Sequence, residues 1–167
     1  MLHASEPNDE GKNKIEPFVN SLTNNFRPHF YPYECLSLDK MVIGFQWRLR
    51  SRQYNSKKRH KYHIKTFSLC DSITGYSLNI LIYFGQETTF NLHIDENPYA
   101  DSQAVKIFDK LLERYSGRHH LFADRFYTSI SLIQYLESKH FNLTGTINMQ
   151  RRFFPQELKR NNVNHRY

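Results

Sequence analysis

Apolar positions along this chain follow a short spacing in the first half and a longer one in the second. Leu36, Leu38, Met41, Val42, Ile43 and Phe45 make a run of strand length. The stretch Tyr62-His63-Ile64-Lys65-Thr66-Phe67-Ser68-Leu69-Cys70 alternates well enough for a second, half-buried strand. Asp71-Ser72-Ile73-Thr74-Gly75 then supplies turn chemistry before a third run from Tyr76 to Phe84, so these two runs predict a hairpin. Past a polar connection around residues 91–98 the period lengthens. A segment opening at Asp101-Ser102 places Val105, Phe108, Leu111, Leu112 and Tyr115 at helical spacing and stops at Gly117. His119 to Asp124 predicts a fourth strand, Thr128 or Ser129 caps a second helix carrying Leu132, Ile133 and Leu136, and Phe141 to Ile147 predicts a fifth strand.

The order is three strands, a helix, a strand, a helix and a strand. The first three are joined closely enough to be antiparallel, and the last two follow helical crossovers. This predicts an α/β fold of RNase H-like order, a mixed sheet of about five strands with flanking helices. Beyond Ile147 the chain turns basic and polar with no final helix evident, so the fold is expected to be incomplete at its C-terminal end. The expected boundaries are a disordered arm over 1–25, a folded domain over 26–160 and a polar tail over 161–167. The arm is expected because Asn, Ser, Lys and Glu dominate it and little apolar surface offsets the entropy of ordering. Phe26, Phe30, Tyr31 and Tyr33, interrupted by Pro28 and Pro32, predict an irregular crossing whose aromatics pack on the domain rather than stack on bases.

Charge adds a partner class to this picture. Among 167 residues, 23 Lys and Arg face 16 Asp and Glu, a formal charge of +7, which favours an anionic partner with nucleic acid first. Cys35 and Cys70 lack a CxxC arrangement, and the nine histidines show neither HExxH nor finger spacing, so no zinc is expected. The N-terminus has no basic region followed by an apolar run, and no stretch reaches the roughly 18 apolar residues of a membrane span. The expectation is an intracellular protein that is not secreted and does not enter a membrane.

Two carboxylates stand out because they interrupt apolar runs. Asp39 lies between Leu38 and Met41 in the first strand, and Asp124 ends the fourth strand after Leu121, Phe122 and Ala123. A charge on a buried strand is costly unless paired or metal-bound, so the two invite a divalent-metal reading. The competing reading is that each is a solvated strand end or a turn cap.

The residues around Asp124 decide between these. Phe122-Ala123-Asp124-Arg125-Phe126-Tyr127-Thr128-Ser129-Ile130-Ser131-Leu132 is followed by Leu143-Thr144-Gly145-Thr146-Ile147 and by Arg151-Arg152-Phe153-Phe154-Pro155-Gln156-Glu157-Leu158. Upstream stand Leu36-Ser37-Leu38-Asp39-Lys40-Met41, then Arg48, Tyr54, Lys58, Lys61, Tyr62, Ile64 and Lys65, then Cys70-Asp71, Gly75-Tyr76 and Tyr83-Phe84-Gly85. Together they closely resemble the piggyBac transposase family over roughly residues 26–160. The resemblance implies an RNase H-like, DDE-type core that cuts and rejoins DNA with two divalent ions, Mg²⁺ or Mn²⁺, held by three aspartates. Asp39 and Asp124 match the first and second as catalytic and metal-ligating residues, and the third is expected downstream of this chain. The resemblance also implies DNA as partner and the nucleus as location. The family's dimerising regions find no match, so a homo-oligomer stays open, and the chain is not expected to be a competent transposase alone.

Several residues depart from the family pattern. Lys40 stands where the family has an acidic residue, Arg125 replaces an Asn beside Asp124, Trp47 and His63 replace glycines, and Arg59 replaces a proline. A guanidinium at Arg125 is expected to pair with Asp124 and compete with a cation for it. The block Arg48, Arg50, Arg52, Lys57, Lys58, Arg59, Lys61 and Lys65, with Tyr54 and Tyr62 interleaved, is the best candidate for phosphate contact, joined by Arg151 and Arg152. Three readings remain: a truncated transposase core, a domesticated DNA- or chromatin-binding module with a vestigial metal site, and a gene fragment without selected function.

Overall fold

The computed structural model describes residues 11–46, 52–85, 88 and 102–160. Trp47, Arg48 and Arg50 lie outside the described residues. In chain order the elements are α1 (Gly11–His29), β1 (Cys35–Gly44), β2 (Gln53–Tyr54), β3 (Tyr62–Asp71), β4 (Ser77–Tyr83), α2 (Gln103–Leu112), β5 (His120–Ala123), α3 (Ile130–Ser138), β6 (Asn142–Gly145) and α4 (Gln156–Arg160). The expected α/β mixed sheet with flanking helices is present, with six strands.

β3 is antiparallel to β1, β2 and β4, whereas β5 runs parallel to β1 and β6 parallel to β5. The parallel pairs need crossovers, and α2 and α3 provide them. Strand period places Leu36, Leu38, Phe67, Leu69 and Leu121 on the face that the helices cover with Val105, Phe108, Leu111, Leu132 and Leu136. These side chains are buried and form one core. On the opposite face Met41, Ile43 and Phe122 are exposed.

The hairpin turn between β3 and β4 is organised by Asp71. Its fully buried carboxylate accepts hydrogen bonds from the amides of Tyr33 (2.9 Å), Ile73 (3.1 Å) and Thr74 (2.8 Å) and from the Thr74 hydroxyl (2.8 Å). Burial alone would push this carboxyl up, but the hydrogen bonds from Thr74, Tyr33 and Ile73 outweigh it and hold it below the usual value.

The expected disordered arm over 1–25 is corrected for residues 11–25, which belong to α1. Ile15, Val19, Leu22 and Phe26 recur at helical spacing, and each is half-buried. The helix is fastened to β4 by Tyr76, whose hydroxyl donates to the Phe26 carbonyl at 3.1 Å and whose ring stacks on Phe30 at 4.6 Å. Arg114 adds a hydrogen bond to the Asn24 side chain at 2.7 Å. The basic C-terminal stretch, expected to lack a helix, contains the short α4. Among the described residues no helix is long and apolar enough to cross a membrane.

Candidate functional site

The parallel register of β1 and β5 ends at the pair Leu38 and Ala123. Asp39 follows Leu38 and Asp124 follows Ala123, so adjacent strands deliver both carboxylates at the same level. β1 runs on to Gly44 while β5 stops, and Asp39 is the first β1 residue without a β5 partner. Both aspartates are exposed, which corrects the expectation that their charges are buried. The length of the neighbouring strand, rather than the apolar run around each Asp, sets their exposure.

Local hydrogen bonds fix each carboxylate. One Asp39 oxygen accepts from the Lys40 amide at 2.7 Å, and one Asp124 oxygen accepts from the Phe126 amide at 2.8 Å. The Asp124 carbonyl accepts from the amides of Tyr127 and Thr128 and from the Thr128 hydroxyl at 3.0 Å, closing a tight turn. Ser129 then caps α3, its hydroxyl accepting from the Leu132 amide at 3.2 Å. A β-carbon on Gly145 would stand 2.5 Å from both the Ala123 carbonyl oxygen and the Thr128 hydroxyl, so β6 can lie against this turn only with glycine there. Thr128, Ser129 and Gly145 are thus the parts that hold Asp124 in place.

The cations around the pair do not neutralise it. Among the described residues no ion pair joins Arg125 to Asp124, contrary to the expected competition; Arg125 is exposed, and its carbonyl accepts from the Arg151 guanidinium at 3.3 Å. Arg151 also donates to the Phe126 carbonyl, so this residue braces the Asp124 turn. Lys40 lays its ammonium 4.8 Å from the centre of the Phe126 ring. Lys65 lies 4.4 Å from the Tyr83 ring, 4.8 Å from Phe67 and 5.0 Å from Phe126, and burial followed by the charge of Lys40 lowers its ammonium below the usual value. It stands among rings rather than on a loop surface.

Tyr127 stands in the turn that follows Asp124, its amide bonded to the Asp124 carbonyl at 3.1 Å. Its ring is fully buried, edge-on to Phe67 (5.9 Å), Phe108 (5.7 Å) and Phe126 (5.0 Å). Its hydroxyl is the one buried side-chain polar atom among the described residues without a hydrogen-bond partner. Burial, then the charges of Asp124 and Asp39, push its ionisation up, so it remains a hydrogen donor and lies within the field of both carboxylates.

Most of the basic block forms the β2–β3 hairpin. Asn55 closes its turn by donating its amide to the Lys61 carbonyl at 2.8 Å, which leaves Lys57, Lys58, Arg59 and Lys61 exposed. Arg52 donates to the Gln46 carbonyl at 2.8 Å and lays its guanidinium 4.1 Å from the Tyr62 ring, itself 5.0 Å from Tyr54. An open groove of about 730 Å³ runs beside Gly44, Gln46, Arg59, His60, Lys61 and Tyr62. Arg152 is exposed, its guanidinium 4.8 Å from the Phe153 ring.

The donor set fits a hard divalent cation. Mg²⁺ takes oxygen ligands and is commonly held by one or two carboxylates together with waters and phosphate oxygens. Asp39 and Asp124 offer two such carboxylates without a cationic partner among the described residues. No group of three or more His, Cys, Asp and Glu side chains converges among those residues.

The chain is similar in sequence and fold to known proteins. The family model described as Transposase IS4 matches residues 1–167. Human PiggyBac transposable element-derived protein 2 is 26% identical over 137 residues, which is 80% of this chain and 22% of that protein. A piggyBac transposase solved as a synaptic complex with hairpin DNA superposes with a TM-score of 0.75 at 25% identity, covering 91% of this chain and 31% of that one. The chain therefore spans less than a third of either relative's length. With the family model matched over residues 1–167 of the chain and both relatives of piggyBac type, this chain belongs to the piggyBac-type transposases.

Proposed function

We propose that this chain is part of the DNA-cutting and rejoining core of a piggyBac-type transposase acting in the nucleus, with Asp39 and Asp124 as two of its metal-ligating carboxylates. The observation that carries this reading is the β1–β5 register, which brings the two aspartates out side by side at the ends of adjacent parallel strands. A divalent ion at this pair, Mg²⁺ or Mn²⁺, would supply charge neutralisation at a scissile phosphate and activate the attacking oxygen.

The chain's own residues do the rest of the work. The turn built by Thr128, Ser129 and Gly145 sets the position of Asp124, and Arg151 clamps that turn from outside. The β2–β3 hairpin presents Lys57, Lys58, Arg59 and Lys61 to the DNA backbone, with Arg52 held on Tyr62 beside them. Such contacts fix register on the duplex without reading sequence. Residues 26–160 form the core segment, with α1 as an added buttress on β4.

Calorimetric titration of Mn²⁺ and Mg²⁺ into the 167-residue chain tests this. Binding that disappears in Asp39→Ala and in Asp124→Ala, with the fold retained, is the expected result. A second reading is a DNA-binding module whose metal site is vestigial. It draws support from the exposed lysines of the β2–β3 hairpin, which need no metal ion to meet phosphate. Salt-dependent DNA binding by a folded chain that binds neither ion would favour it over the first.

A further inference from the structure

A buried hydroxyl without a partner is costly, on the order of 1–3 kcal/mol, so its position calls for an explanation. The Tyr127 hydroxyl is such a group. Its backbone amide is bonded to the Asp124 carbonyl at 3.1 Å, and its ring is wedged between Phe126, on the Asp124 turn, and Phe67, which pairs with Lys40 next to Asp39. The side chain is therefore held between the turn that carries Asp124 and β3, the antiparallel neighbour of the strand that carries Asp39. A phenylalanine would fill the same aromatic cluster without burying an oxygen. The other buried phenol behaves differently: the Tyr135 hydroxyl donates to the Asp109 carboxylate and is satisfied.

We propose that the Tyr127 hydroxyl is a positioning group for the aspartate pair, its donor held free for an oxygen of Asp39 or Asp124 when a divalent cation draws the two carboxylates together. This rests on the cation-binding reading above. Each carboxylate already has one oxygen on a backbone amide, of Lys40 or of Phe126. The Tyr127 donor would hold a carboxylate oxygen that the ion leaves uncoordinated, as second-layer partners of metal ligands commonly do.

The test is calorimetric titration of Mn²⁺ into the wild-type chain, Tyr127→Phe and Tyr135→Phe, with the Tm of each measured without cation. Tyr127→Phe is expected to weaken Mn²⁺ binding about ten-fold or more, the usual effect of losing a second-layer partner, while its cation-free Tm is unchanged or raised. Tyr135→Phe is expected to lower Tm and leave the Kd for Mn²⁺ alone. Tyr127→Phe binding Mn²⁺ as tightly as wild type overturns the positioning role and leaves the cation site standing. A fall in the cation-free Tm of Tyr127→Phe marks the hydroxyl as structural and overturns it as well. A wild-type chain that binds no Mn²⁺ overturns the positioning role and the cation site together.

Discussion

Gly145 and Ala123 lie so close that a β-carbon on the first would stand 2.5 Å from the carbonyl oxygen of the second. The same β-carbon would meet the Thr128 hydroxyl, which holds the Asp124 carbonyl. Gly145→Ala must therefore push β6 away from β5 or break the Thr128 bond. A destabilisation of about 1–3 kcal/mol is expected from overpacking of this kind, read as a lower urea midpoint. Because the displaced turn is the one that positions Asp124, Mn²⁺ affinity should fall in the same variant. A Gly145→Ala chain of unchanged stability and affinity would show that the contact relaxes without consequence.

Asp71 should govern the acid sensitivity of the fold. Its carboxyl is held below the usual value, so its contribution is fully present above the unfolded-state value and is lost as pH falls through the lower folded value. Asp71→Ala leaves the amides of Tyr33, Ile73 and Thr74 without their acceptor and is expected to cost about 1–3 kcal/mol at neutral pH. Urea unfolding of wild type and variant at pH 7 and again in acid should show the gap closing as the wild-type carboxyl protonates. A gap independent of pH would mean that the hydrogen bonds do not depend on the charge.

These two positions show how much of the molecule is legible in its sequence. Strand and helix periods place β1, β3, β4, β5, β6, α2 and α3 close to where they lie, and the Asp71 turn and the Ser129 cap follow from residue chemistry. α1 escaped because Ile15, Val19, Leu22 and Phe26 are diluted by polar residues and by Pro17 and Pro28, and its anchors on Tyr76 and Arg114 come from distant parts of the chain. β2 has only two residues, too few to show a period. Exposure of Asp39 depends on where β5 ends, and the free Tyr127 hydroxyl on what surrounds it in three dimensions; neither is written in local pattern. Arg151 reads as surface charge until the carbonyls of Arg125 and Phe126 are seen to occupy it.

Lys65 carries a pH dependence of opposite sense to that of Asp71. Burial and the charge of Lys40 hold its ammonium below its ordinary value of 10.5, so the unfolded chain binds this proton more tightly than the folded one. Stability is accordingly reduced while both states are protonated and rises as pH climbs through the folded value towards 10.5. Lys40→Gln removes the like charge and should move Lys65 back towards its usual value, seen by NMR titration of the Lys65 side chain. It should also flatten the alkaline rise in stability. An unshifted Lys65 would mean that burial alone sets its value.

The hairpin charges should act on DNA by number rather than by identity. Lys57, Lys58 and Lys61 are exposed on the β2–β3 hairpin, whereas Lys65 is enclosed by Phe67, Tyr83 and Phe126. Each phosphate contact releases condensed counterions and adds about 0.9 to the slope of log K against log salt on duplex DNA. Lys57→Ala, Lys58→Ala and Lys61→Ala should therefore each lower that slope by about 1 and weaken binding evenly across unrelated sequences. Lys65→Met should leave the slope nearly unchanged, because an ammonium set among three rings is not free to reach a phosphate. Fluorescence anisotropy with a labelled duplex over a range of salt concentrations measures all four. A larger slope change for Lys65→Met than for the hairpin lysines would move the DNA path from the hairpin onto the aromatic cluster beside Asp39 and Asp124.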